Sequence, residues 1–368
     1  MKIKTTLENI KNYKIYLQVE TAVHKFLQKK GYQKLDLPVL APALIPESYL
    51  EIFETEFRYL NKKQKLYLTP SPEIFLKRLL VSGIGDCYYL GKAFRNSEPN
   101  SDYHLPEYTM LEYYRLGFTY LQLADEILEM MRFIFSRCHP ELVSGSDFSK
   151  AKRQMPKSIR QAQDPECIEG QVRHDKEGII YQGKKISFEK WEKYTVAEAF
   201  EKFAQISKRE LFNSSLFMKR AIEKGYKVKS FSYQDIFSQI IAQEIETKLG
   251  KNGYPTLLYD YPSEMASLAK LNKDRLTAKR VEFYINGIEI GGCCEELNDW
   301  KEQDLRFKME ALRRKKEKKI GHPIDKGFIK ALQYGLPDCS GAGIGFDRLA
   351  MILADVTSIS ELKLITFE

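Results

Sequence analysis

Apolar side chains recur at three- and four-residue steps between residues 8 and 30, at Tyr13, Tyr16, Leu17, Val23, Phe26 and Leu27. That period predicts an amphipathic helix, with Gly31 placed to cap it. Leu35 to Ala41 reads as extended chain, and Pro38 within it suits an edge or an interface better than a central strand. From 86 to 116 the period changes to two, which predicts two strands around a loop. On the first, Tyr89, Gly91, Ala93 and Arg95 share a face, and the small residues leave room beside the arginine for a ligand. On the returning strand, Glu107 to Arg115, Tyr108, Met110, Glu112 and Tyr114 share a face. Residues 119–135 read as a helix.

Residues 138–175 break the pattern. The stretch is rich in Ser, Gln, Pro and charge and has no sustained period, so it reads as a mobile surface insertion between a first part, 1–137, and a second, 176–368. It also resembles the translated palindromic repeats found within some bacterial genes. Beyond it, 195–250 is mainly helical, with Gln234 to Leu249 the clearest helix. Residues 281–299 are sheet-like, 301–319 form a charged helix, and 340–354 read as a glycine-rich strand passing into a helix.

Composition narrows the class. The chain has 368 residues, 29% charged and 12% aromatic, with a formal charge of +8. These values fit a globular protein with a sizeable core, not a disordered one. The positive charge permits a polyanionic partner without identifying one. Six of the seven residues from Arg313 to Lys319 are basic, a run that is either a solvated face or a docking surface. The six cysteines form no C-x-x-C pair, which argues against zinc and for reduced thiols in a cytoplasmic protein. No signal-peptide pattern opens the chain, and no apolar run of about 20 residues predicts a membrane span.

Two features suggest chemistry on phosphates. Val281 to Ile285 and Ile288 to Ile290 flank Asn286-Gly287, the strongest short signal of a hairpin. In a two-residue hairpin Tyr284 faces Glu289 and Glu282 lies on the same face, roughly 7–8 Å away on the diagonal. Two carboxylates so placed repel unless a cation lies between them, and their oxygens suit Mg²⁺ bridging to phosphate. Arg95 and Arg348 are the candidate guanidinium groups for the phosphates themselves. Arg348 follows the run Gly341 to Asp347 and would open a helix, where the dipole adds to its charge.

Several segments, in order, resemble the class II aminoacyl-tRNA synthetases. Residues 88–115 are similar to that family's motif 2, and GAGIGFDRLAMILA (341–354) to its motif 3. The first helix with Pro38 resembles its motif 1 dimerisation element. FETEF (53–57), TPSPEIFLKRLLVSG (69–83), PTLLYDYPSEMASLAKL (255–271) and HPIDKGFIKALQYGLPDCSGAGIGFDRL (322–349) resemble the lysyl-tRNA synthetase subgroup. They resemble most its truncated branch, ligases that attach lysine or β-lysine to a lysine of elongation factor P. Motif 1 begins within about ten residues of Met1, which leaves no room for the anticodon-binding barrel of the full synthetases and fits the truncated branch.

The resemblance implies an α+β fold, an antiparallel sheet flanked by helices, in a homodimer that uses ATP and Mg²⁺. It implies that Arg95 binds the α-phosphate and the attacking carboxylate, with Asn96 and Glu98 on the nucleotide. His104 would contact the terminal phosphates and Arg348 would clamp the γ-phosphate. Glu282 and Glu289 would hold the metal. Glu73 would meet the substrate's α-amino group, and Glu112, Tyr114 and Glu296 its side-chain ammonium. Gly292 and Cys294 stand where the family carries Asn and an aromatic residue, so the amino acid stays open between lysine, β-lysine and another. The loop from Arg95 to His104 is one residue longer than the family's and lacks the basic residue near Asp102. Gly343 stands where the truncated branch carries Ala. The expected activity is formation of an aminoacyl-adenylate and its transfer to elongation factor P. A minimal tRNA-charging or other amino-acid ligase, and an inactive binding module, are the alternatives.

Overall fold

A computed structural model describes residues 1–97, 101–137, 178–229 and 231–366; the predicted insertion 138–175 lies outside them. Eight strands form the central sheet. In chain order the labelled strands are β1 (Gln33–Lys34), β2 (Phe53–Tyr59), β3 (Lys62–Leu68), β4 (Cys87–Phe94), β5 (Glu107–Leu116), β6 (Glu192–Thr195), β7 (Thr256–Pro262), β8 (Thr277–Ile285), β9 (Ile288–Glu295) and β10 (Cys339–Gly345). The sheet runs β6-β7-β8-β9-β10-β5-β4-β1. Only the outermost pairs, β6·β7 and β1·β4, are parallel. Strands from before and after 138–175 therefore share one sheet. β2 and β3 form a separate antiparallel hairpin edged by Leu40–Ala41.

The helices are α1 (Leu7–Lys29), α2 (Glu73–Val81), α3 (Tyr120–Phe135), α4 (Ser214–Glu223), α5 (Tyr233–Ile240), α6 (Trp300–Lys316), α7 (Lys326–Gly335) and α8 (Phe346–Leu353). Thr6 caps α1 by accepting from the Asn9 N–H, and Gly31 leaves it at φ +88°, a conformation that costs glycine little. The buried stripe of α1 is Ile15, Val19, Ala22, Val23, Phe26 and Leu27. Leu17, read from the sequence as part of that stripe, is exposed, because a two-residue step from Ile15 turns it past the core face. The helix predicted over Gln234 to Leu249 also changes character. It is α-helical to Ile240, widens to a π-turn at Ile241–Ile245 and tightens to a 3₁₀ turn at Glu246–Lys248.

The two faces of the sheet differ in chemistry. Tyr88, Leu111, Tyr113, Val281, Phe283, Ala342 and Ile344 point into one core with α1, α3 and α8. Burying a side chain such as Phe283 contributes about 2 kcal/mol. On the same strands, Glu112, Tyr114, Glu282, Gly341, Gly343 and Gly345 line a cavity on the opposite face. A second core, from Val196 to Leu249, closes the β7 side. A third packs α2, α7 and Phe307 of α6 against Tyr89, Tyr114 and Cys339. Among the described residues, no helix is long and apolar enough to cross a membrane.

Candidate active site

The cavity is about 500 Å³ and collects residues from almost every segment singled out in the sequence. β-Strand alternation sends Tyr108, Met110, Glu112 and Tyr114 of β5 into it, and Gly341, Gly343 and Gly345 of β10 form its floor. A Cβ at Gly341 would lie 2.4 Å from both Glu296 Oε1 and the Tyr114 ring. That glycine is therefore set by close approach rather than by backbone conformation.

The hairpin turns at Asn286 and Gly287, both at positive φ, and Tyr284 faces Glu289, as the sequence predicts. One feature departs from a regular ladder. The register shifts so that Phe283 faces Gly291 and Glu282 faces Gly292, which leaves Ile290 as a bulge. In an unbroken strand Glu289 and Glu296 would point to opposite faces. The extra residue reverses the parity, and Glu289, Gly292, Cys294 and Glu296 all reach the cavity.

At one end lie the groups for which the sequence predicts contacts to phosphate. Glu282 Oε2 accepts from the hydroxyls of Tyr261 (2.6 Å) and Tyr284 (2.7 Å), and Oε1 from Arg280 (2.8 Å). Arg348, at the start of α8, donates to the carbonyls of Tyr103 (3.0 Å) and Glu289 (2.9 Å) and to His104 Nε2 (2.7 Å). His104 Nδ1 lies 3.1 Å from Ser101 Oγ. Accepting at Nε2 and donating at Nδ1 makes this imidazole neutral. Arg95 lines the cavity with its guanidinium over the Tyr108 ring.

At the other end, Glu112 is buried and accepts from Ser71 (2.6 Å) and Tyr114 (2.8 Å). Glu73 opens α2, and Glu296 follows β9. Between them lies Lys77, 2% exposed, paired with Glu73 and, at 2.5 Å, with Glu296. Burial holds the Glu112 carboxyl up, to about 8, and neighbouring Glu73 adds to the shift. Burial also raises Glu296, against the pull of Lys77. The Lys77 ammonium, despite burial, is held well above its usual range by Glu296 and Glu73.

The structure thus brings together Arg95, His104, Glu73, Glu112, Tyr114, Gly292, Glu296, Glu282, Glu289 and Arg348. Asn96 is not among the lining residues. Its carboxamide donates to the Ile52 carbonyl (3.2 Å) and accepts from the Ser97 N–H (2.8 Å), so both ends are engaged in holding the loop. Glu98 lies outside the described residues. Gly91, read as leaving space for a ligand, does not: the Tyr89 hydroxyl lies where its Cβ would be.

Three groups escaped the sequence reading. Lys77 sits one turn after Glu73, an i,i+4 pair that was legible. Glu246 is pushed up to about 7, mainly by burial and then by Glu289 and Glu282, and accepts from the Glu289 N–H. Nothing in its sequence context signals that contact. The third, Glu47, lines the cavity from the loop after Leu44.

The family model described as tRNA synthetases class II (D, K and N) matches residues 2–367. Among curated proteins, the chain is 30% identical over 355 residues to the "Elongation factor P--(R)-beta-lysine ligase" of Buchnera aphidicola subsp. Schizaphis graminum, covering 94% of this chain and 92% of that one. It is 31% identical over 351 residues to the protein of the same name from Vibrio vulnificus, covering 94% and 92%. It is 28% identical over 358 residues to that of Haemophilus influenzae strain Rd, covering 96% and 94%.

Proposed function

Because the chain belongs to the class II tRNA synthetases of the D, K and N group, we propose that its cavity activates lysine or β-lysine with ATP and that the acyl group passes to a lysine side chain of elongation factor P. It is a ligase, and the names of its relatives carry the acceptor.

The charge balance of the amino-acid end carries the reading. Glu73, Glu112 and Glu296 offer three carboxylates, and Lys77 neutralises one. The remainder fits a substrate bearing two ammonium groups, as lysine and β-lysine do. A substrate with one amine would leave a buried carboxylate either unpaired or protonated. Gly341, lacking a Cβ, lets Tyr114 and the Glu296 carboxylate pack directly on the floor, where a side-chain ammonium would meet them.

Adenylation proceeds by attack of a substrate carboxylate oxygen on the α-phosphorus of ATP, with pyrophosphate as leaving group. Arg95 is assigned to hold the α-phosphate and the attacking carboxylate in line, and His104 with Arg348 to hold the terminal phosphates. Glu282 and Glu289 are half-buried carboxylates on one wall, a donor set that suits a hard cation. Among the described residues no group of three or more His, Cys, Asp or Glu side chains forms a metal site. Glu282 and Glu289 would hold Mg²⁺ here. When bound, it supplies positive charge to the phosphates. The motif 1 element, α1 with the Pro38 segment, exposes Leu17 and Leu40, and we assign it to the interface of a homodimer working in the cytoplasm.

Amino-acid-dependent exchange of pyrophosphate into ATP tests the first step. Lysine or β-lysine is expected to support exchange and the other amino acids are not. Exchange driven by a monoamine instead would overturn the charge-balance argument.

A further inference from the structure

Transfer to a lysine side chain poses a problem that adenylation does not. At pH 7 a lysine amine is neutral in roughly one molecule in a thousand. The ammonium form has no lone pair, so a group near the activated carbonyl must take its proton. None of the residues assigned so far is available for this: Glu73, Glu112 and Glu296 face Lys77 or the substrate ammonium groups, and Glu282 and Glu289 face the phosphates.

Glu47 is the remaining carboxylate on the amino-acid side of the cavity, and the structure fixes it there with unusual care. Its carbonyl accepts from Arg314 (2.8 Å), as does that of Leu50 (2.5 Å). The Ser48 N–H donates to Glu310 (2.9 Å), and Lys319 donates to the Ser48 carbonyl. The basic end of α6 thus clamps the backbone of 47–50, and the Glu47 side chain is left to the cavity it shares with Arg95 and Glu73. The Tyr49 hydroxyl donates to Glu47 Oε1, and Tyr49 is 65% exposed while lining the same cavity. This rim is open to a macromolecule arriving from solvent.

We propose that Glu47 receives the ammonium group of the acceptor lysine and takes its proton for acyl transfer, a step that rests on the function proposed above. One proton passes from the ammonium nitrogen to the Glu47 carboxylate. The freed lone pair forms the C–N bond at the acyl carbon. The bond from that carbon to the AMP phosphate oxygen breaks, its electron pair leaves with AMP, and the second nitrogen proton goes to solvent. Charge favours the assignment. Of the four carboxylates Glu47, Glu73, Glu112 and Glu296, Lys77 and two substrate ammonium groups match three, and Glu47 is left for the acceptor. Burial, with Glu73 and Glu310, pushes the Glu47 carboxyl up to about 7 against the pull of Tyr49 and Arg95, a range matched to proton uptake near neutrality.

The test compares wild type with Glu47→Gln in two assays: lysine-dependent pyrophosphate exchange, and single-turnover transfer from enzyme-bound adenylate to elongation factor P. Transfer is expected to fall about 100-fold more than exchange. The deficit should nearly vanish when hydroxylamine, a nucleophile already neutral at pH 7, replaces the protein acceptor. Glu47→Asp keeps a carboxyl and is expected to retain more transfer than Glu47→Gln. Equal losses in exchange and transfer with a raised KM for lysine would overturn the proposal, as would an undiminished transfer rate or an equal deficit toward hydroxylamine. Wild-type exchange and transfer report the function itself, whereas the variant-to-wild-type ratio reports Glu47.

Discussion

Glu112 sits 4% exposed with Glu73 nearby, and its titration couples amino-acid binding at this end to pH. Its carboxyl is raised to about 8 by burial first and by Glu73 second, so the empty site holds a proton at neutral pH. An ammonium ligand prefers the ionised form. Binding therefore expels the proton, and affinity rises with pH until Glu112 is ionised without help. Lysine binding followed by calorimetry is expected to tighten between pH 6 and about 8, by at most about tenfold per pH unit, and to level off above. Glu112→Gln should remove the slope along with most of the affinity. A flat profile in the wild type would mean that Glu112 is already ionised in the empty site. Lys77 shows the limit of reading such a site from sequence. Its pairing with Glu73 follows from helical spacing, but the contact with Glu296 crosses from α2 to the end of β9, and no local pattern carries it.

At the scale of elements, the basic run Arg313 to Lys319 divides into two functions. Arg314 is buried and donates to the Glu47, Leu50 and Ile320 carbonyls and to Glu51. Arg313 pairs with Glu310, while Lys315, Lys316 and Lys318 are exposed. A sequence reading that treats the run as one solvated or docking face misses this, because the 47–51 loop that buries Arg314 lies more than 260 residues earlier. Arg314→Met is expected to destabilise the protein by about 3–5 kcal/mol in urea unfolding, since it leaves Glu51 and the carbonyls without their donor. Lys315→Glu and Lys316→Glu should stay within about 0.5 kcal/mol. Similar effects from all three would contradict the division. The β8–β9 hairpin teaches the complementary lesson. Asn286-Gly287 announced the turn and its Tyr284–Glu289 pairing. The bulge at Ile290 was not legible, because it answers to the packing of Ile290 and Cys293 into the core behind the sheet. That bulge is what lets Glu289 and Glu296 serve the same cavity.

For the whole molecule, the strand order places β10 between β9 and β5, bringing chain positions more than 180 residues apart to one floor. β5 was legible from its period of two, β9 from the Asn286-Gly287 turn before it, and β10 from its glycine-rich run leading into a helix. Their adjacency was not legible, since sheet order depends on non-local pairing that a single sequence does not encode in any short window. The assembled cavity has an end with Arg95, His104 and Arg348, proposed to take the nucleotide, an acidic end with the buried Lys77, proposed to take the diamine, and an open rim at Tyr49. Under the proposed function such a layout would serve two successive reactions, activation inside and transfer at the rim. The direct measurement is the intact mass of purified elongation factor P after incubation with this protein, ATP, Mg²⁺ and either lysine or β-lysine. The account predicts a gain of one lysyl or β-lysyl residue on a lysine side chain, dependent on ATP and lost in Arg95→Ala. An unchanged mass, under conditions where the protein forms the adenylate, would contradict it.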